Sequence, residues 1–488
     1  MIRHLRRAIG YGLLGSAVAF LAGYVYILQG RPDPKIWHRA DLDAEFRFGL
    51  NDAIRDLDDY RRLEDRLFQQ LRERVYGRIE PSDRRLVNRF SPGGPMDPAG
   101  RAHNWNRTFE LTANSPTAGV LMLHGLSDSP YSMRALGQLL NEQGAWVVGL
   151  RLPGHGTAPA AMLSVSWRDF TAAVRLAASS LHARVGSDRP FYIVGYSNGA
   201  ALAVEYALAV LEGETLPAPD ALVLLSPAMR VSRVAALAIW QSRLAWLAGL
   251  EKLAWTSIQP EFDPYKYNSF TVNAGDQIYR LTRDVDRRLG RLSGPSGLKG
   301  FPRVIAFQSV ADATIAPDTL VQGLFMRLAN EGHALVLFDL NRHAEAEVLL
   351  KHDPEDLVER LFGEELPFNL TVVTNASPRS DEVVARVKPA GATAVVERPL
   401  RATWPDGVFS LSHIAVPFAP DDPVYGAASD ADGDDGRITL GGIVIRGERN
   451  LLEIPDSYFI RLRHNPFFPY LAERLRAFLN LAGASRQH

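Results

Sequence analysis

Phe191-Tyr192-Ile193-Val194-Gly195-Tyr196-Ser197-Asn198-Gly199, running on into Ala200-Ala201-Leu202-Ala203-Val204-Glu205-Tyr206-Ala207, decides the reading of this chain. The first four residues form an apolar run of buried-strand type, and the last eight read as a helix. Between them stands Gly-x-Ser-x-Gly. A strand that turns into a helix so abruptly forces the serine to a strained backbone angle, and the flanking glycines remove side chains that would collide there. The Ser197 hydroxyl is thereby expected at the top of a sheet, open to substrate, as a nucleophile elbow.

With 39 glycines in 488 residues, chance alone supplies such a pentapeptide in roughly one chain in five of this length. The surrounding chain must therefore carry the argument. Upstream, Gly119 to Leu123 reads as a strand, Met133 to Gln143 as a helix ended by Gly144, Trp146 to Leu150 as a strand, and Trp167 to Val185 as a long amphipathic helix. Downstream, Leu222 to Leu225 is a strand closed by Ser226-Pro227. Val304 to Gln308, a helix near Thr319 to Asn330, and the strands Ala334 to Phe338 and Leu370 to Val373 follow, with a closing helix over Tyr470 to Leu481. Such alternation implies parallel strands joined by crossover helices, hence an α/β sheet. The alternation stops between Pro227 and Leu298. There a helical run, Ala235 to Trp255, carries Trp240, Trp246 and Trp255 and is expected to cap the serine.

The chain is long enough, and with 46 % hydrophobic residues apolar enough, to bury a large core. A formal net charge of −1 gives no electrostatic case for nucleic acid. There is no cysteine, which excludes disulfides, thiolate metal sites and a cysteine nucleophile. Arg3, Arg6 and Arg7 precede an uncharged stretch from Ala8 to Leu28. About 20 apolar residues suffice to cross a bilayer, and the basic flank favours the cytoplasmic side. The expectation is an uncleaved N-terminal transmembrane anchor over residues 1–30, with the rest of the chain periplasmic or extracytoplasmic. Residues 31–105 are expected as a charged helical stalk or pre-domain. Within it, Phe48, Ile54, Leu57, Tyr60, Leu63, Leu67 and Leu71 recur at mostly helical spacing. Residues 106–488 form the catalytic domain, with the cap at about 228–298 and a further insertion at about 341–405.

A serine nucleophile that attacks a carbonyl needs two N–H groups for the oxyanion, and a base oriented by an acid. Asn198 N–H, at the start of the helix after the serine, supplies the first donor. Leu123-His124-Gly125-Leu126, at the end of an earlier strand, offers Leu126 N–H as the second. Asp312 follows the strand Val304 to Gln308 and is suited to be the acid, while Asp318 fits a helix-capping role. Of the histidines that follow in the chain, two are candidates for the base. His343 comes soon after the strand Ala334 to Phe338 but opens an Ala/Glu/Leu run. His413 lies much later, in Phe409-Ser410-Leu411-Ser412-His413-Ile414-Ala415-Val416-Pro417. Asp430-Ala431-Asp432-Gly433-Asp434-Asp435-Gly436 resembles a calcium loop but has Asp435 at the sixth position and Gly441 at the twelfth. It reads as a solvated acidic turn, so no metal and no cofactor is expected.

Leu123-His124-Gly125-Leu126, Arg151-Leu152-Pro153-Gly154-His155-Gly156-Thr157 and Gly195-Tyr196-Ser197-Asn198-Gly199 together resemble the monoacylglycerol-lipase-like and serine-aminopeptidase-like α/β hydrolases. The resemblance covers about residues 106 to 340. It implies an α/β-hydrolase fold with a mostly parallel sheet flanked by helices, Ser197 as nucleophile, Asp312 as acid, and Leu126 and Asn198 as the oxyanion hole. The Ser-Leu-Ser-His segment resembles a bacterial membrane-anchored subgroup, which favours His413 over His343 as base. The implied activity is hydrolysis of small-molecule acyl esters through an acyl-enzyme. A peptidase acting on amides and a non-catalytic binding protein on the same scaffold are the alternatives.

Overall fold

The computed structural model describes residues 10–13, 15–16, 18–19, 23, 30–50, 53–230, 251–312, 314–344, 355–427, 440–441 and 461–480. Its strands are β1 (Phe109–Leu111), β2 (Ala118–Leu123), β3 (Ala145–Leu150), β4 (Phe191–Tyr196), β5 (Ala221–Leu225), β6 (Trp255–Ser257), β7 (Phe270–Thr271), β8 (Arg303–Ser309), β9 (Ala334–Phe338), β10 (Asn369–Asn375), β11 (Glu382–Lys388) and β12 (Val396–Thr403). Its helices are α1 (Ile36–Arg39), α2 (Leu57–Arg74), α3 (Arg134–Asn141), α4 (Trp167–Val185), α5 (Asn198–Leu211), α6 (Val272–Leu292), α7 (Pro317–Gly323), α8 (Glu355–Gly363) and α9 (Phe468–Phe478).

Ten strands form one sheet in the order β1-β3-β2-β4-β5-β8-β9-β10-β11-β12, while β6 and β7 pair separately. From β3 to β10 all neighbours are parallel; β1, β11 and β12 run antiparallel to theirs. Alternate residues of each strand point to opposite faces. Leu121, Leu123, Ile193, Leu222 and Leu224 join α4, α5 and α6 in one cluster. Val120, Met122, Val194, Val223 and Phe307 join α3 and α9 in the other. Both faces are covered, which is why these strands read as continuous apolar runs. Local signals hold the helices in place. Ser166 caps α4, accepting from Arg168 and Asp169 N–H, while its own N–H donates to Asp169 at 2.7 Å. Such a reciprocal cap contributes about 1 kcal/mol.

The α/β-hydrolase fold is thus present, but two regions differ from expectation. The expected transmembrane helix is corrected. A span needs about 20 consecutive apolar helical residues, and among the described residues no helix is long and apolar enough to cross a membrane. Most of Ala8 to Leu28 lies outside the described residues. The membrane partner and the extracytoplasmic placement rested on that helix and are corrected with it. In the cap stretch, α6 buries Leu281, Val285 and Leu289 in the same core as Leu202 and Tyr206 of α5. It is a flanking helix of the sheet. Residues 231–250, with Trp240 and Trp246, and the acidic turn 430–436 lie outside the described residues.

The N-terminal segment packs on the main domain. Helix α2 puts Leu57, Tyr60 and Leu63 into the main core and Leu67, Phe68 and Leu71 against Trp37 and Phe90. Its apolar stripe is long enough to serve two clusters, one shared with the sheet and one made with the rest of the N-terminal segment. Phe48, counted in the sequence as part of that stripe, is exposed.

Candidate active site

The parallel strands end in register, with Leu123 opposite Leu150 and Gly195, Tyr196 opposite Leu225, and Ser309 opposite Phe338. The loops after β2, β4, β8 and β9 therefore open on one edge of the sheet, the edge where open α/β sheets hold ligands. Leu126, Ser197 and Asp312 all lie in or just past these turns.

Ser197 has φ 53° and ψ −111°, a left-handed conformation that a non-glycine residue rarely takes. Its N–H donates to Leu225 O at 2.9 Å, and its carbonyl accepts from Ala228 N–H at 3.1 Å. Both glycines of the motif are required by close backbone approach. A Cβ on Gly195 would stand 2.4 Å from Gly199 O, and one on Gly199 would stand 2.1 Å from Leu123 O.

His413 is buried, with Nε2 3.1 Å from Ser197 Oγ and Nδ1 2.7 Å from Asp312 Oδ2. The other carboxylate oxygen of Asp312 accepts from Thr314 and Ile315 N–H, both at 2.9 Å. These two donors fix the carboxylate plane, and Gln308 Nε2 reaches Oδ2 at 3.4 Å. His343, by contrast, is exposed in a 3₁₀ turn after β9.

The two histidine positions are related by the topology. Asn341, just past β9, donates its N–H to Phe409 O and its side-chain amide to Val408 O, both at 2.8 Å. The chain leaves the sheet edge after Asn341, builds α8, β10, β11 and β12 as a lateral extension, and returns to the same point. His413 therefore occupies the place after β9 that His343 holds in the linear sequence. Ser412 Oγ donates to Leu462 O at 2.6 Å and steadies the returning loop.

Gly125 lies over the serine: a Cβ there would meet the Tyr196 ring at 3.0 Å and Ser197 Cβ at 3.4 Å. Leu126 follows directly, and Asn198 begins α5. Among the described residues neither the Leu126 nor the Asn198 N–H has a hydrogen-bond partner. Asp128, two residues beyond Leu126, is buried, and burial pushes its carboxyl up to about 7. Tyr267 N–H donates to Ser127 O at 2.7 Å, which ties this loop to the segment before α6. Among the described residues no group of His, Asp and Glu could hold a metal ion.

The sequence did not reveal how this loop is supported. His124 accepts Leu152 N–H at 3.0 Å through Nε2, so Nδ1 carries the proton and donates to Gly125 O at 2.9 Å. Burial lowers its basicity well below that of an ordinary histidine. Arg151, fully buried, pairs with Glu45 through two hydrogen bonds of 2.9 and 3.0 Å and with Glu64 at 2.9 Å. Burial alone would push Glu45 up, but the guanidinium holds its carboxyl below the usual range; Glu64, with burial dominant, stays above it. In the sequence these contacts are marked by a charged residue, Arg151, directly after an apolar strand, at the start of the Arg151–Thr157 motif.

Residues 114–344 match the family model described as serine aminopeptidase, S33. A thermostable monoacylglycerol lipase of Bacillus sp. (strain H-257) is 25% identical over 234 residues, 46% of this chain and 86% of that protein. A solved structure from work on the metagenome-derived lipolytic enzymes LipS and LipT is 22% identical, covering 49% of this chain and 89% of its own, with a TM-score of 0.38. The Paleococcus ferrophilus monoacylglycerol lipase is 19% identical, covering 48% and 88%, with a TM-score of 0.35. The chain resembles the monoacylglycerol-lipase-like and serine-aminopeptidase-like α/β hydrolases, over the part of the sequence that holds the elbow.

Proposed function

We propose that this protein is a serine hydrolase that cleaves carboxylic esters of the monoacylglycerol kind through a Ser197-His413-Asp312 triad. The observation that carries the reading is the unbroken hydrogen-bonded line from Asp312 Oδ2 through the His413 ring to Ser197 Oγ. His413 Nε2 takes the hydroxyl proton as Ser197 Oγ attacks the carbonyl carbon. Asp312 keeps the imidazole in the Nδ1–H tautomer and stabilises its charged form. The new oxyanion is bound by Leu126 and Asn198 N–H, a contribution of about 3–4 kcal/mol to the barrier. His413 then gives its proton to the departing alcohol. Water, deprotonated by the same ring, attacks the acyl carbon and releases the acid and free Ser197.

The ester class is supported by the lipase relative, 25% identical over 234 residues. A fluorophosphonate probe should label the intact protein and not a Ser197→Ala variant, and the same pair should differ in turnover of monoacylglycerols. Failure to label the wild type, or equal labelling of both, would sink the hydrolase reading. Faster cleavage of aminoacyl amides than of esters would replace the ester with an amide substrate.

A further inference from the structure

An oxyanion hole works only if its donors are aimed before the charge develops. Asn198 N–H is aimed by helix α5. Leu126 N–H stands on a loop, and something else must aim it. In a trans peptide the carbonyl of one residue and the N–H of the next point to opposite sides. There is no cis peptide bond among the described residues. Anchoring Gly125 C=O on one side of the peptide therefore fixes Leu126 N–H on the other. That carbonyl accepts from His124 Nδ1–H at 2.9 Å, the shorter of its two hydrogen bonds, and from Asp128 N–H at 3.3 Å.

His124 is in turn oriented by Leu152 N–H, at the start of the turn after β3. That turn is not held by the hydrolase core alone. Arg151 Nη1 donates to His155 O at 3.1 Å, and Gly154 N–H donates to Glu45 Oε2 at 2.8 Å. The His155 ring meets the His124 ring edge-on at 4.9 Å. Glu45 thus grips the turn twice, through Arg151 and directly at Gly154. It comes from the N-terminal segment, well before the start of the family match at residue 114.

We infer that Glu45 is a positioning residue for the oxyanion hole, acting through Arg151 and the Leu152–Gly154 turn on His124, and so on the Gly125–Leu126 peptide. The N-terminal segment is by this account part of the catalytic apparatus, although it touches neither substrate nor Ser197. The inference rests on the serine-hydrolase reading above.

The test compares Glu45→Gln with wild type in kcat, KM and the Ki of an alkyl boronic acid, which mimics the tetrahedral adduct. All values are taken per Ser197 site titrated by fluorophosphonate. A misaimed donor should lower kcat by about tenfold or more and raise the boronate Ki by a similar factor, with KM nearly unchanged. Loss of stability alone would reduce the number of titratable sites and leave the per-site constants as they were. His124→Asn keeps a donor for Gly125 C=O but loses the acceptor for Leu152. In that background Glu45→Gln should have no further effect on Ki. Unchanged per-site kcat and Ki, or effects that multiply in the double variant, would overturn the inference. Should Glu45→Gln fail to fold, Glu45→Asp keeps the charge on a shorter arm and gives the same readouts. No labelling of the wild type would instead remove the hydrolase reading itself.

Discussion

His413 Nδ1 and Asp312 Oδ2 stand 2.7 Å apart although 101 residues separate them in the chain. The carboxylate is already committed on its other oxygen to two backbone N–H groups, so it is a fixed acceptor. Asp312→Asn keeps the shape but offers an amide that can donate, which favours the wrong imidazole tautomer. The expected result is a fall in kcat on the order of 10⁴ with little change in KM. His413→Ala should be at least as damaging, whereas His343→Ala should leave ester turnover intact. Steady-state kinetics on the three variants check this, and a dead His343→Ala would reverse the assignment of the base.

Gly199 is a second point where the geometry leaves no room. A Cβ there would sit 2.1 Å from Leu123 O and 2.8 Å from His124 O, both backbone atoms at the end of β2. Neither can swing aside as a side chain could, so β2 and the start of α5 must part. Gly199→Ala should cost about 3 kcal/mol or more. Gly363→Ala is the control, because nothing lies within 4 Å of the added methyl. Urea unfolding midpoints would decide, and equal midpoints for the two variants would contradict the packing described here.

The elbow, the strands and the turn after β2 were legible because they depend on signals near in sequence. An apolar run, a glycine beside a serine and a strand-ending turn each announce themselves within ten residues. Asp312 was legible from its place after β8. His413 was not decided by the residues alone, because its position depends on Asn341 meeting Val408 and Phe409 across the whole β10–β12 extension. The role of Glu45 was illegible for the same reason: its partner Arg151 is 106 residues away. The N-terminal anchor was an expectation from hydropathy alone, and among the described residues no helix is long and apolar enough to cross a membrane.

His38 gives a pH dependence with a definite sign. It is buried between Trp255 and Ser269, with its ring 4.8 Å from the indole and Nε2 2.9 Å from Ser269 Oγ. Burial lowers its pKa from an ordinary 6.5 to about 3. The folded state therefore holds the ring neutral while the unfolded chain protonates it below pH 6.5. Its contribution to stability is fully present above pH 6.5 and is lost as pH falls toward 3, by up to about 1.4 kcal/mol per unit. Glu261, pushed up to about 7 by burial, works in the opposite sense over part of that range. The clean observable is thus a difference: wild type should lose about 2 kcal/mol more than His38→Gln between pH 7.5 and pH 5. Parallel unfolding curves for the two proteins over that range would refute it.

Arg151 offers the sharpest stability test, because its removal alone and its replacement together with its partners should differ in cost. It is one guanidinium between two buried carboxylates, Glu45 and Glu64, and all three side chains are almost wholly out of solvent. Arg151→Met leaves both carboxylates without a counter-charge and should cost about 3–5 kcal/mol at neutral pH. Burial then raises both carboxyls above their unfolded values, so the folded variant binds protons that the unfolded chain releases. Its stability should recover as pH falls and worsen as pH rises through neutrality, opposite to the contribution of His38. Adding Glu45→Gln and Glu64→Gln to Arg151→Met removes the stranded charge, and most of the lost stability should return. Activity should not return with it, since the turn that holds His124 would still lack its grip. Thermal unfolding from pH 5 to 8, read beside per-site kcat, separates the two effects. Recovery of stability and turnover together would show that Arg151 only fastens the N-terminal segment to the core.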